Sequence, residues 1–179
     1  MRSIVLTVLG FLMTTGVVAG DSPPTGPVIE GYGPVFAVPE DSYNLVPGVK
    51  YKISWDIGNG PDDPAATNRS IESVARFLNM SARYGIDPGD LELALVLHGS
   101  GTHSALHNEA YTERFGMPNG SGTLIRLLRE KGVQMYLCGQ SAAYNGYGPE
   151  DLRPEITMAV SAMTAHARLQ HEGYVIMPF

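Results

Sequence analysis

The feature that most constrains this fold is the segment Leu91-Glu92-Leu93-Ala94-Leu95-Val96-Leu97, apolar throughout but for Glu92. A run of this kind, without alternation, reads as a strand covered on both faces, as in parallel sheets packed between helices. The flanking patterns agree. Val49-Lys50-Tyr51-Lys52-Ile53-Ser54-Trp55-Asp56-Ile57 alternates apolar and polar residues, the mark of a strand with one buried face. Asn68 or Ser70 can cap a helix in which Ile71, Val74, Ala75, Leu78 and Ala82 recur at helical spacing, and Gly85 ends it. Helical patterns follow over 102–115 and 122–131, then an apolar strand over 133–138. Pro154 is read as opening a last helix with Ile156, Ala159, Val160, Met163 and Ala167 on one stripe. Gly173 closes it, and 174–177 is a final short strand. Strands separated by helices build parallel βαβ units, so the class is α/β, with a mostly parallel sheet and helices on both faces.

The first residues suggest export. Arg2 precedes an almost wholly apolar stretch over 4–18, followed by the small residues Ala19 and Gly20. This reads as a cleaved signal peptide over 1–20, and its apolar run is shorter than the roughly 20 residues of a membrane-spanning helix. No later stretch looks membrane-spanning, so the mature protein is expected to be periplasmic or secreted and free of the membrane. Residues 21–48 form a Pro/Gly-rich arm, in which Pro23, Pro24, Pro27, Pro34, Pro39 and Pro47 break any regular element. Val28, Ile29, Tyr32, Val35 and Phe36 should tie this arm to its own domain or to a neighbouring subunit. Residues 49–179 then make one α/β domain. The 12 basic and 18 acidic residues argue against a nucleic-acid surface.

In open α/β sheets ligands bind beyond the carboxyl ends of the strands. Three strand ends converge there: 56–59, 98–101 and 138–141. The last holds the only cysteine of the chain, Cys138, in Leu137-Cys138-Gly139-Gln140-Ser141. A thiol between a strand and a helix meets the positive end of the helix dipole, which favours the nucleophilic thiolate. Gly139 allows a tight turn and close approach of a partner. Gln140 and Ser141 add donors, and the backbone N–H groups of Gly139 to Ser141 can hold negative charge. A single cysteine has no resolving partner, so it must pass its sulfur or its oxidation to another molecule. The alternative is a buried, inert thiol.

His98 ends the apolar strand and reads either as a base or hydrogen-bond partner beside the thiol or as a histidine bonded to a loop carbonyl. The turn Gly99-Ser100-Gly101 after it is a weak anion-cradling signal. His103 and His107 stand four apart on a helical pattern and would share a face. With His98 or Cys138 they could hold zinc or copper, but spacing for a closed site is missing, and no cofactor is expected. His166 and His171 read as surface residues. Asn68-Arg69-Ser70, Asn79-Met80-Ser81 and Asn119-Gly120-Ser121 match the glycosylation pattern, a match common by chance.

The chain after the signal closely resembles the exported branch of the DsrE/DsrF-like proteins, which are associated with intracellular sulfur oxidation and sulfur relay. The resemblance rests on Pro27-Val28-Ile29-Glu30-Gly31-Tyr32-Gly33-Pro34-Val35, Tyr51-Lys52-Ile53-Ser54-Trp55-Asp56-Ile57 and Leu95-Val96-Leu97-His98-Gly99. It continues through Asn108-Glu109-Ala110-Tyr111, Leu137-Cys138-Gly139-Gln140-Ser141 and Gln170-His171-Glu172-Gly173-Tyr174-Val175-Ile176-Met177-Pro178-Phe179. It implies a flavodoxin-like three-layer α/β/α fold with a mostly parallel sheet of about five strands, and homo-oligomers, trimers or hexamers. It implies that Cys138 carries sulfur as a persulfide, that His98 is the family's strand-end histidine, and that Asn119 supplies an amide before the middle helix.

Two functional readings follow. The first is a periplasmic sulfur-relay protein, sulfurtransferase-like, with Cys138 as nucleophile and His98 as accessory group. Gly99, Asn119, Gly139, Gln140 and Ser141 would bind the ligand, and the partners would be sulfur donor and acceptor proteins or small thiols. The second is a non-enzymatic oligomeric module that binds a small ligand or a protein.

Overall fold

The computed structural model of the chain describes residues 22–178; the signal segment read over 1–20 lies outside them. Five strands form one parallel sheet: β1 (Tyr51–Ile57), β2 (Leu91–Leu97), β3 (Gln134–Cys138), β4 (Thr157–Ala159) and β5 (Val175–Met177), in the order β4-β3-β2-β1-β5. The helices are α1 (Arg69–Arg83), α2 (Asn108–Phe115), α3 (Gly122–Glu130), α4 (Gly139–Asn145) and α5 (Ala162–His171). No described helix is long and apolar enough to cross a membrane.

Strand order dictates which face each helix covers. From β1 to β4 the chain steps in one direction, and right-handed crossovers then put α1 to α4 on a single face. Their inward residues, among them Ile71, Leu78, Tyr111, Leu124, Leu128 and Ala142, join Ile53, Trp55, Ile57, Leu95, Leu97 and Leu137 in the main core. Trp55 meets Phe77 edge-on at 5.3 Å between ring centroids, seating α1 on β1. From β4 the chain steps back across the sheet to β5, so α5 crosses the opposite face. There a smaller core holds only Ala94, Val96, Ala165, Leu169 and Tyr174 as its buried members. Leu93 to Leu97 of β2 are all buried, as a strand covered on both faces requires.

Two helical expectations are corrected. The segment expected to open the last helix at Pro154 instead contains β4, which pairs Tyr136 with Thr157 and Cys138 with Ala159. The apparent stripe spans two elements, and Val160 and Met163 are strongly exposed. The helix begins after Ser161, whose Oγ accepts from Thr164 N–H while Thr164 Oγ1 accepts from Ser161 N–H, a reciprocal cap. The helix expected over 102–115 is likewise divided. Gly99–Ala105 forms 3-10 turns, and α2 starts anew with His107 as its cap.

The arm is part of the domain. Ile29 and Val35 are buried, whereas Phe36, expected to help tie the arm down, is 73% exposed. Its anchor is Asn79 on α1, fully buried. Its Oδ1 accepts from the N–H groups of Val28 and Ile29, and its Nδ2 donates to the carbonyls of Ile29, Tyr32 and Gly33. Asn79→Ala leaves these buried backbone groups unpaired and should lower the unfolding free energy by about 3 kcal/mol. Denaturant titration measures that loss, and limited proteolysis should show earlier cleavage within 22–48.

Candidate functional site

Register builds the site. Ile57, Leu97 and Leu137 lie side by side on β1, β2 and β3 and face the main core. Side chains alternate along a strand, so Asp56, His98 and Cys138 all turn to the opposite face, under α5. His98 keeps extended backbone (φ −149°, ψ −178°), so the alternation holds through it. His98 and Cys138 follow the paired Leu97 and Leu137, and Asp56 lies diagonally from His98, level with Val96. Cys138 also stands at the point where the connections diverge: β3 leads to α4 on one face and β4 to α5 on the other. Such a topological switch point opens a crevice at the strand ends.

Gly139 is required by crowding there. A Cβ on it would lie 2.6 Å from the Ala159 carbonyl oxygen, so only glycine lets β4 pass so close to the start of α4. The cysteine is free and only 5% exposed. Burial pushes its thiol pKa up. The Ser141 hydroxyl and the backbone N–H groups of Ser141, Ala162 and Gln140 favour the thiolate and together outweigh burial, leaving the pKa below the usual cysteine value. Ser141 Oγ in turn accepts from the Gly99 N–H at 3.2 Å, which ties the β2 loop to the thiol site. The donor from α5 was not legible in the sequence, because that helix was read as starting eight residues earlier.

At the ends of β2 and β3 lies an open depression of about 480 Å³ lined by Gly99, Ser100, His103, Gln140, Ser141 and Tyr144, with Cys138 itself not in the lining. Of the exposed apolar residues near the ends of β3 and β4, Tyr144 lines it, while Val160 and Met163 stand at the start of α5. A depression of about 530 Å³ between the arm and the end of α1, lined by residues such as Phe36 and Tyr84, holds no nucleophile.

His98 Nε2 lies 2.9 Å from Asp56 Oδ1 but without hydrogen-bond geometry, and it is shielded from solvent. The same oxygen accepts a hydrogen bond from His166 Nε2 at 2.9 Å. His166, read from the sequence as a surface residue, therefore belongs to this cluster, with its side chain 13% exposed. Asp56 belongs to the converging strand end 56–59, but the sequence reading gives it no role. Its signal was the β1 alternation, which puts Ser54 and Asp56 on the face opposite Trp55.

Asn119 is not brought to the thiol. Its Nδ2 donates to the carbonyls of Ser104 and Leu106, its Oδ1 accepts from Ser121 N–H, and it lines a separate depression with Arg126 and Arg153. It is a loop clamp, and no donor of its amide is left for a ligand. His103 and His107 do not share a helix face. His103 Nδ1 pairs with Tyr147 Oη at 2.6 Å, and burial, then the Arg114 charge, lower its pKa. His107 caps α2 through Nδ1. Among the described residues no group of three or more His, Cys, Asp or Glu side chains is arranged to hold a metal ion.

Comparison with known proteins fits this geometry. A protein of unknown function from Methanobacterium thermoautotrophicum is similar in structure, with a TM-score of 0.53 and 14% identity over 73% of this chain and 100% of the other. The ychN protein from E. coli matches equally, with a TM-score of 0.53 and 14% identity over 72% of this chain and 99% of that one. At that identity the likeness concerns the fold, a flavodoxin-like α/β arrangement. No curated protein sequence matches the chain. The family model for DsrE/DsrF-like proteins matches residues 53–179, which take in every strand end of the site, and the chain belongs to the DsrE/DsrF-like family.

Proposed function

We propose that this protein carries sulfane sulfur on Cys138 in a sulfur relay of the periplasm. The observation that carries the reading is the setting of the thiol: one sulfur at the switch point, with donors from Ser141, Gln140 and Ala162 favouring its thiolate. Family membership supports the same chemistry. In the loading step the Cys138 thiolate attacks the outer sulfur of a persulfide donor, R–S–SH. The new Sγ–S bond forms as the old S–S bond breaks, and the electron pair departs on R–S⁻, which takes a proton from water. Cys138 then bears –S–SH. In unloading, an acceptor thiolate attacks that outer sulfur and Cys138 leaves as thiolate. A low thiol pKa helps here as well, because it improves the leaving group.

His98 is the accessory polar group beside this sulfur, and Gly99, Gln140 and Ser141 border the approach. Donor and acceptor are proteins or small thiols, and the exposed Tyr144, Val160 and Met163 suit docking of a protein. The functional unit in this reading is a homo-oligomer, a trimer or hexamer. The low exposure of the sulfur favours a second reading, a non-enzymatic module that binds a ligand at the same depression.

Intact-mass spectrometry after incubation with a sulfane-sulfur donor separates the two. The relay reading expects the wild type to gain one or more sulfur atoms and Cys138→Ser to gain none; equal gain by both would sink it. An inert thiol in a protein that still binds ligand supports the binding module. Ser141→Ala should move the pH midpoint of Cys138 alkylation upward, since a donor to the thiolate is lost. The sign of the stability effect follows from the lowered pKa. The thiolate adds stability above the pKa of an unfolded cysteine, and this fades as pH falls through the folded value. Denaturation midpoints of wild type and Cys138→Ser across that range should therefore diverge at alkaline pH.

A further inference from the structure

Among the described residues, α5 is the one helix over the face of the sheet on which Cys138, His98 and Asp56 lie, and it is thinly attached. Its buried side chains are Ala165 and Leu169, while Met163, Thr164, Ala167, Arg168 and Gln170 are exposed. Among the described residues, the His166 to Asp56 contact is the single hydrogen bond from an α5 side chain to a strand. One turn before His166, α5 starts at Ala162, three residues after the Ala159 that pairs with Cys138, and the Ala162 N–H favours the thiolate there. His166 and Ala162 are four residues apart, so they lie on one face of the helix and move together. The bond that holds His166 to the sheet therefore holds the first turn of α5 on the thiol. It is made at a cost: donation from Nε2 leaves His166 Nδ1 buried without a partner, which a residue serving stability alone would rarely show.

We propose that Asp56 is a positioning residue of the thiol site. One oxygen, Oδ1, stands 2.9 Å from His98 Nε2 and accepts from His166 Nε2, so a single carboxylate lies against the strand-end imidazole and latches α5, whose first turn lies at the end of β3. Closed, α5 supplies a donor that favours the thiolate and shields it. Released, it uncovers the sulfur to a donor or acceptor and withdraws that hydrogen bond. This deepens the carrier reading, since it governs access to the same thiol, but its own observables do not require sulfur transfer.

The titratable groups brought here by the meeting elements, among the described residues, are Asp56 of β1, His98 after β2, Tyr136 and Cys138 of β3, Tyr144 of α4 and His166 of α5, with His103 from the 3-10 turns and Tyr174 just before β5. β4 and β5 bring none, and Arg168 and Glu172 pair with each other farther along α5. A change in the pH profile of Cys138 in an Asp56 or His166 variant can therefore be assigned within this short set.

The experiment follows alkylation of Cys138 against pH, together with amide exchange at α5, in wild type, Asp56→Ala, His166→Ala and His166→Gln. The limiting rate at alkaline pH, where the thiol is fully ionised, reads access; the midpoint reads the donors. His166→Ala and Asp56→Ala should raise the limiting rate about fivefold, as expected for one half-exposed hydrogen bond. They should also shift the midpoint upward and speed exchange of the first α5 amides selectively. His166→Gln, which can still reach Asp56 with a donor, should restore much of the wild-type behaviour. Folded His166→Ala with unchanged midpoint, limiting rate and α5 exchange would overturn the inference, as would uniform loosening of the whole domain. If the latch effects appear while no variant accepts sulfur, the carrier reading fails and the positioning role stands.

Discussion

In-register parallel pairing of β1, β2 and β3 is the constraint on which the rest of this structure depends. Ile57, Leu97 and Leu137 align, and their burial against four helices fixes which face each strand presents. A slip of one residue would turn the apolar set outward, so the hydrophobic effect itself enforces the register. The same alignment makes Asp56, His98 and Cys138 neighbours. The site is thus a by-product of core packing: its polar residues are the first ones beyond, or between, those that the core demands.

Loops around the sheet are held by three buried asparagines, all in sequences that look like glycosylation acceptors. Asn68 caps α1 and donates to the Asn59 carbonyl; Asn79 anchors the arm; Asn119 clamps the backbone around Ser104 and Leu106. Each is at most 7% exposed. A carboxamide offers two donors and an acceptor in a small plane, so it can satisfy several main-chain groups that a loop leaves unpaired. None of these side chains is available for a glycan while the domain is folded.

The thiol sits between opposing effects. Its low exposure disfavours charge, yet polar groups of two elements that the strand order brings together, α4 and α5, favour the thiolate. That combination suits a group that must be a competent nucleophile and leaving group and still be protected from oxidants. No second cysteine exists to quench it within the chain.

Sequence alone determined the elements whose side chains report their own surroundings: the doubly buried β2, the alternating β1, the amphipathic α1, and a cysteine ending β3. It misjudged 154–161, because a three-residue edge strand leaves too short a pattern to be told from the first turn of a helix, and Ala159, Val160 and Met163 happen to fall at helical spacing. It could not see that His166 meets Asp56, 110 residues earlier, or that the turn after Ser161 returns to the thiol. Nor could it see that Asn119 is spent on backbone. Local periodicity records which side chains avoid water. Which element lies over which strand end depends on strand order and crossover direction, and only the tertiary structure decides those.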